Sequence, residues 1–391
     1  MTSIFSSPAT AKTYIVLSSL TGLITAFIYP LISFFLIEDL AVEPKYIGIY
    51  MVSVTLSGLV LSQWLGSLAD KGISANKMYM IANSGIILAL IIYINTSSFA
   101  VVLLAGIVFM SIGNASFPQM LTLGRQWAST QSLDATQFNS RIRAGVSFSW
   151  MIGPPIAFTL VAIIGFSGVF SIAILVALTA ILFVWRVLPE HKPNQQLNSQ
   201  EPNAKPTISF WFLAAAIIMG SLGNNMYTSL LPLYTIKELA MPSYTPGILM
   251  GLVAGLEIAI MLLTTRLCRY FNKVNLFISA FGFGFIFYAG MFYATSLQQM
   301  LLLQLVNALF YGLFAGVGLT LLQEQLPKRI GFTSAVYSNG FKIGVMLGAS
   351  LMGVIAQFYN FRYALLGAVL ASFIGICLTC LFILYRPKNQ S

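Results

Sequence analysis

Along this 391-residue chain the apolar residues come in long blocks, and the charged ones are confined almost entirely to the short gaps between them. Twelve blocks can be marked, over 13–37, 47–68, 78–94, 99–123, 142–164, 168–188, 208–236, 247–267, 274–294, 300–322, 332–357 and 363–385. A helix needs about 20 apolar residues to cross a hydrocarbon core of roughly 30 Å, and each block supplies a run of about that length. Backbone polar groups inside lipid have to be satisfied within the segment, which a helix does and an open strand does not. The pattern therefore predicts an all-α membrane protein with twelve transmembrane helices.

Polar residues inside the blocks are not scattered. In the first helix Ser18, Thr21, Thr25 and Tyr29 share one face, and in the fourth Ser111, Asn114, Thr122 and Arg125 do the same, with Pro118 in the stripe. The seventh offers Ser221, Asn225 and Thr228, and the tenth Gln304, Asn307 and Tyr311. Polar faces turned to hydrocarbon are costly, so these four stripes are expected to face a watery cavity. Helices 3, 6, 9 and 12 carry fewer strongly polar groups, as an outer shell would.

The chain also repeats itself. Ile37, Leu40, Ala41, Gly48 and Ile49 recur 199 residues later as Ile236, Leu239, Ala240, Gly247 and Ile248. Gly145, Gly153 and Phe166 recur 195 residues later as Gly340, Gly348 and Phe361. Between the copies lies a polar, proline-rich stretch without apolar period, PEHKPNQQLNSQEPNAKPT. The expected organisation is a six-helix bundle at 1–188, a cytoplasmic linker at 189–207 and a second six-helix bundle at 208–391, in the same orientation in the membrane.

Composition agrees and adds direction. Hydrophobic residues make up 58% and charged residues 8%, and mean hydropathy is +0.86, far from the roughly 25% charge of a soluble domain. A net charge of +10 raises the question of nucleic acid, but in a membrane chain Lys and Arg first report topology. With the amino terminus inside, 16 of the 20 basic residues fall in cytoplasmic segments, three (Lys45, Lys237, Arg362) in outer loops, and Lys342 within a helix. Both termini are therefore expected in the cytoplasm, with no nucleic-acid partner. The first apolar run exceeds a signal-peptide core and is read as an uncleaved span. Cys377 and Cys380 lie in an apolar run with no neighbouring ligand, and His191 is the single histidine, so no metal site, catalytic triad or cofactor is implied. Nor is there a phosphate-cradling G-x-x-x-x-G-K-[ST] loop.

Twelve helices in two repeated halves, with a long central loop and stripes on helices 1, 4, 7 and 10, resemble the major facilitator superfamily. Its loop signature between helices 2 and 3 is matched by Gly66-Ser67-Leu68-Ala69-Asp70-Lys71, with Lys77 further on; the following glycine is displaced, and the second half has lost its copy. Gly145 to Gly153-Pro154 is similar to the superfamily's antiporter signature, without its downstream glycine pair. A closer resemblance is to the bacterial sugar efflux transporter family, carried by Asn114, Pro118-Gln119, Arg125, Arg143-Ala144, Trp150 to Phe158, and Gly251 through Gly255-Leu256-Glu257-Ile258. It implies proton-coupled efflux of sugars or small glycosides by alternating access, across the bacterial inner membrane, by a monomer that is not an enzyme.

Glu257 is the carboxylate placed well inside a span, where an ion costs roughly 2.5 to 3.5 kcal/mol and taking up a proton avoids the cost. It is the expected proton-coupling or substrate residue, with a structural ion pair to Lys342 as the alternative. Lys342 itself is read as that partner, as a cavity-lining donor, or as a stem reaching for the cytoplasmic surface. The resemblance gives Asp70 a gating role, shared with Arg125 and Arg143 at the inner ends of helices 4 and 5. Tyr29, Asn114, Gln119, Asn225, Tyr227, Gln304, Asn307 and Tyr311 are the expected substrate-binding set: amides that donate and accept suit hydroxyl-rich cargo, and flat rings suit its C–H faces. Interhelical hydrogen bonding and packing are the competing reading of each. Gly153-Pro154-Pro155 removes two backbone donors and predicts a bend or hinge in helix 5. Two other functions are compatible with the sequence: a multidrug or metabolite antiporter, and a receptor or assembly factor that does not transport.

Overall fold

The computed structural model describes residues 10–70, 73–131, 135–189, 206–327 and 329–385; at 62–70, 129–130, 135–137, 139–141, 143, 265 and 330–331 it describes the backbone alone. The first helices are α1 (Ala11–Glu38), α2 (Lys45–Asp70) and α3 (Ala75–Ile94). The fourth, α4, is broken: Phe99–Ala105, a π-helical turn at Gly106–Met110, one turn at Ser111–Gly113, then Ser116–Thr130. Next comes a continuous helical stretch, Ala135–Val187, of 53 residues. At 1.5 Å per residue it measures about 80 Å, more than twice a hydrocarbon core. It breaks at Gly165, with φ 70° and ψ 177°, a conformation open only to glycine. That break divides α5 (135–164) from α6 (166–187).

The remaining helices are α7 (Ile208–Pro232, running into a π-helical turn at Leu233–Glu238), α8 (Thr245–Leu267), α9 (Lys273–Tyr293), α10 (Leu297–Gln325), α11 (Ile330–Phe358) and α12 (Phe361–Tyr385). Starts are capped where the sequence allows it: Ser74 accepts from the Lys77 amide, Asn272 from Val274, and Ser296 exchanges bonds with Gln299 in a capping box. Ten apolar segments among the described residues are long enough to cross a membrane, with Ala144–Val187 counted once and Lys45–Leu61 a shorter apolar helix within α2.

Packing divides the chain into two compact units, Met1–Val42 with Ser53–Leu197, and Glu43–Val52 with Asn198–Ser391. The halves expected at 1–188 and 208–391 differ from this at one place, residues 43–52, which pack in the second unit. There a Cβ on Gly353 would lie 2.5 Å from the Pro44 carbonyl oxygen, and Gly48 is packed against Ser350. At the start of α2 the Glu43 carboxylate lies 2.6 Å from the Lys45 ammonium, whose hydrogen bond and charge hold that acid below the usual carboxylate range.

The internal repeat is visible at atomic detail. Ala41 and Ala240, 199 apart, both have φ 51°. Each follows a helix closed by the same two bonds: Leu40 N–H to Phe35 O and Val42 N–H to Leu36 O in the first copy, Leu239 N–H to Tyr234 O and Met241 N–H to Thr235 O in the second. In the first unit α1 and α5 approach closely, with Ser149 seated where a Cβ on Gly22 would meet its own Cβ at 2.9 Å. In the second unit Ser221 takes the place of Gly22 and Gly344 that of Ser149, so α7 and α11 keep the contact with the small and larger residues exchanged.

α5 stays helical through Gly153, Pro154 and Pro155, and the departure from helical angles is at Gly165. Gly153 makes a close helix contact: a Cβ there would come within 2.6 Å of Ala26 on α1. The predicted linker lies in large part outside the described residues.

Candidate functional site

In the first unit the break in α4 places Asn114. Pro118 has no N–H to return to the Asn114 carbonyl, so the ladder opens there and the helix restarts at Ser116. The freed Asn114 side chain accepts a 2.8 Å hydrogen bond from the Tyr29 hydroxyl of α1. Its amide nitrogen sits over Gly58 of α2, where a Cβ would approach to 2.9 Å. Tyr29 is 40% exposed, and one turn along α4 the Gln119 side-chain oxygen is buried without a partner. Two helices thus bring a phenol and an amide together, as their stripes suggested.

The rest of those stripes goes elsewhere. Ser18 and Thr21 are fully buried, Ser18 bonded to its own helix at Ile15 O and Thr21 to the Tyr79 hydroxyl of α3 at 2.8 Å. Ser111 is buried and donates to Val54 O of α2. Asn83 of α3 donates to Ser116 of α4 at 2.9 Å, and its own side-chain oxygen is left unpaired. Tyr79 and Asn83 were missed by sequence reasoning because α3 was read as outer shell; their spacing of four, on one face, was the available signal. Arg125 is exposed at the far end of α4. The side chains of Asp70 and Arg143 lie outside the described residues.

In the second unit Tyr227, Gln304 and Asn307 come together, but not as groups open to a ligand. They are 1%, 0% and 2% exposed. Gln304 Nε2 donates to the Tyr227 hydroxyl at 3.2 Å and to Met300 O, while Asn307 Nδ2 donates to Gln304 Oε1 at 3.1 Å. This is a brace between α7 and α10, the arrangement that the competing reading of each residue describes. Asn307 Oδ1 and the fully buried Tyr288 hydroxyl of α9 are unpaired beside it.

Tyr311 stands one turn beyond Asn307, its ring against Phe310 and Phe314. Glu257 on α8 is half-buried and lies within electrostatic reach of the Tyr288 and Tyr311 phenols. Among the described residues neither Glu257 nor Lys342 forms an ion pair, so the alternative reading of a pair between them has no contact here. Asn225 is half-buried and accepts from Ser229 at 3.3 Å.

Against known proteins, the model of the Major Facilitator Superfamily matches residues 14–299 and 276–391. Sugar efflux transporter A of Dickeya chrysanthemi is 31% identical over 360 residues, 90% of this chain and 90% of that protein. The chain belongs to the major facilitator superfamily, in its bacterial sugar efflux transporter family. Sugar efflux transporter A of Escherichia coli (strain K12) is 28% identical over 348 residues, covering 88% of each chain. Among solved structures, this transporter superposes on a variant of the nucleoside transporter NupG with TM-score 0.80 at 15% identity, over 96% of this chain and 100% of that one. A bacterial homologue of the iron transporter ferroportin gives 0.76 at 15% identity, over 95% and 98%. At such identities the superpositions speak for the fold alone, and as a member of this superfamily the protein is a transporter, not an enzyme.

Proposed function

We propose that this transporter exports sugars or small glycosides across the bacterial inner membrane, driven by protons moving inward, and that it exposes its cargo site to one side of the membrane and then the other. The observation that carries the reading is the Tyr29–Asn114 pair, with Gln119 further along α4 proposed as a third cargo contact. A sugar hydroxyl both donates and accepts, and the pair offers both functions where a helix has been broken to present it. The relatives named for sugar efflux make sugars the cargo class to test first. Glu257, placed mid-helix and without an ion-pair partner among the described residues, is the group proposed to take up and release the proton; Tyr311 and Asn225 of the second unit are proposed as further cargo-binding residues.

The test is uptake of labelled mono- and disaccharides by inverted vesicles or proteoliposomes under an imposed pH gradient. Sugar should accumulate only while the gradient lasts. Glu257→Gln should abolish accumulation but leave exchange of labelled for unlabelled sugar, and Asn114→Leu should raise KM about tenfold, the cost of one or two lost hydrogen bonds. Sugar flux indifferent to the gradient, or a transporter that moves apolar cations and not sugars, would remove the reading.

A further inference from the structure

The break in α4 is moulded on α3. Gly85 lies against the π-helical turn, where a Cβ would come within 2.7 Å of the Phe109 carbonyl oxygen, and a Cβ on Gly113 would run into Ile86. One turn before Ile86, Asn83 is fully buried and spends both hydrogens of its amide: Nδ2 donates at 2.9 Å to Ser116 Oγ and at 2.9 Å to the Tyr79 carbonyl. Ser116 is itself buried, opens the restarted half of α4 and stands two residues after Asn114.

The same face of α3 holds α1. Tyr79, one turn before Asn83, is fully buried, and its hydroxyl lies 2.8 Å from Thr21 Oγ1. Thr21 gives its one hydroxyl hydrogen to Leu17 O, so Tyr79 is the donor in the bond between them. Thr21 and Tyr29 are eight residues apart on α1, about 12 Å along its axis. From one helix, Asn83 and Tyr79 thus tie down both helices that carry the Tyr29–Asn114 pair. Helix α4 needs such a tie. Its ladder is open at Pro118, so its own backbone does not fix the angle between its halves, and an O–H···O bond of 2.8 Å tolerates a change of only a few tenths of an ångström.

We propose, on the reading of Tyr29 and Asn114 as cargo contacts, that Asn83 and Tyr79 are positioning residues for cargo recognition: through Ser116 and Thr21 they hold α4 and α1 at the separation where Asn114 and Tyr29 meet. Both are sealed from solvent, so neither is open to cargo, and the loss of either reaches cargo only through the pair. Residues that served the stability of the bundle alone would change its unfolding and leave KM where it was.

The test is transport by the full-length protein in proteoliposomes, with the labelled sugar that the vesicles accumulate, set beside thermal unfolding. Asn83→Leu keeps the shape of the side chain and removes its donors; adding Ser116→Ala removes the partner left without a bond and should return most of the lost stability. The expected result is a KM raised about fivefold in both variants, a maximal rate within about twofold of wild type, and no further rise when Asn83→Leu is added to Asn114→Leu. Tyr79→Phe with Thr21→Val should raise KM in the same way through α1. Hydrogen exchange in detergent measures the tie without cargo: the amides of residues 115–121 should exchange about threefold faster or more in Asn83→Leu/Ser116→Ala than in wild type. Unchanged exchange, a KM that recovers together with stability in the double variant, or a KM rise that multiplies with that of Asn114→Leu would overturn the positioning role and leave the pair as a cargo contact. Faster exchange with a KM that Asn114→Leu does not move would overturn it by removing the cargo reading itself.

Discussion

At the scale of single residues, Gln304 and Asn114 are both amides on polar stripes, and the structure treats them in opposite ways. Gln304 spends its donors and its oxygen inside the second unit on Tyr227, Met300 and Asn307. Asn114 sits at a helix break with a half-exposed partner. The stripe period identified which side of each helix carries polar groups, but not whether that side meets a neighbour or water, because the period is the same in both cases. What separates them is local: a proline four residues on, present in α4 at Pro118 and absent from α10. Substitution should divide the two. Tyr227→Phe is expected to lower the protein's stability by about 1 kcal/mol, the usual worth of an interhelical hydrogen bond in a membrane, with KM for cargo unchanged. Thermal unfolding in detergent alongside transport assays checks this; a Tyr227→Phe protein of wild-type stability and raised KM would return Tyr227 to the binding set.

At the scale of elements, the apolar blocks fixed the helices well, since a span's length is set by the bilayer and the hydropathy contrast is large. The break at Gly165 falls in the gap between the blocks 142–164 and 168–188, whereas the two prolines in α5 keep helical angles. A proline inside a helix loses a hydrogen bond without having to leave helical angles when neighbouring helices hold it, and Gly153 is held against Ala26. Gly165 must leave them, because its φ and ψ turn the chain from one pass into the next. Gly165→Ala should therefore cost about 1–3 kcal/mol although open space surrounds the position. The reverse holds at the two repeat positions. Ala41 and Ala240 occupy left-handed backbone that glycine adopts freely, so Ala41→Gly and Ala240→Gly should each stabilise by up to about 1 kcal/mol. Unfolding midpoints of the three variants test the set, and two alanine-to-glycine changes that both destabilise would show that the left-handed turns are not strained.

At the scale of the whole molecule, the repeat and the charge pattern were both legible because neither depends on side-chain packing. The offset of 199 carries through to identical helix-end bonds at Ala41 and Ala240. The proposed orientation rests on the charge asymmetry, and two of the three basic residues assigned outside have local partners. Lys45 is paired with Glu43. The Arg362 side chain donates to Phe292 O at 2.5 Å and lies over the Phe292 ring, beside the Glu238 carboxylate that accepts its backbone N–H. The three assigned outside are few beside the sixteen assigned inside. In a protein whose native Cys268, Cys377 and Cys380 are replaced by serine, single cysteines at Ser97 and Thr295 should then react with a membrane-impermeant maleimide in intact cells. A cysteine at Phe271, exposed at the other end of the same helix that leads to Thr295, should react only after the cells are opened. Because Phe271 and Thr295 are joined by the single helix α9, they must label from opposite sides whatever the orientation; the inverse assignment would place both termini outside and put the start of α3, with Lys77, in the outer leaflet.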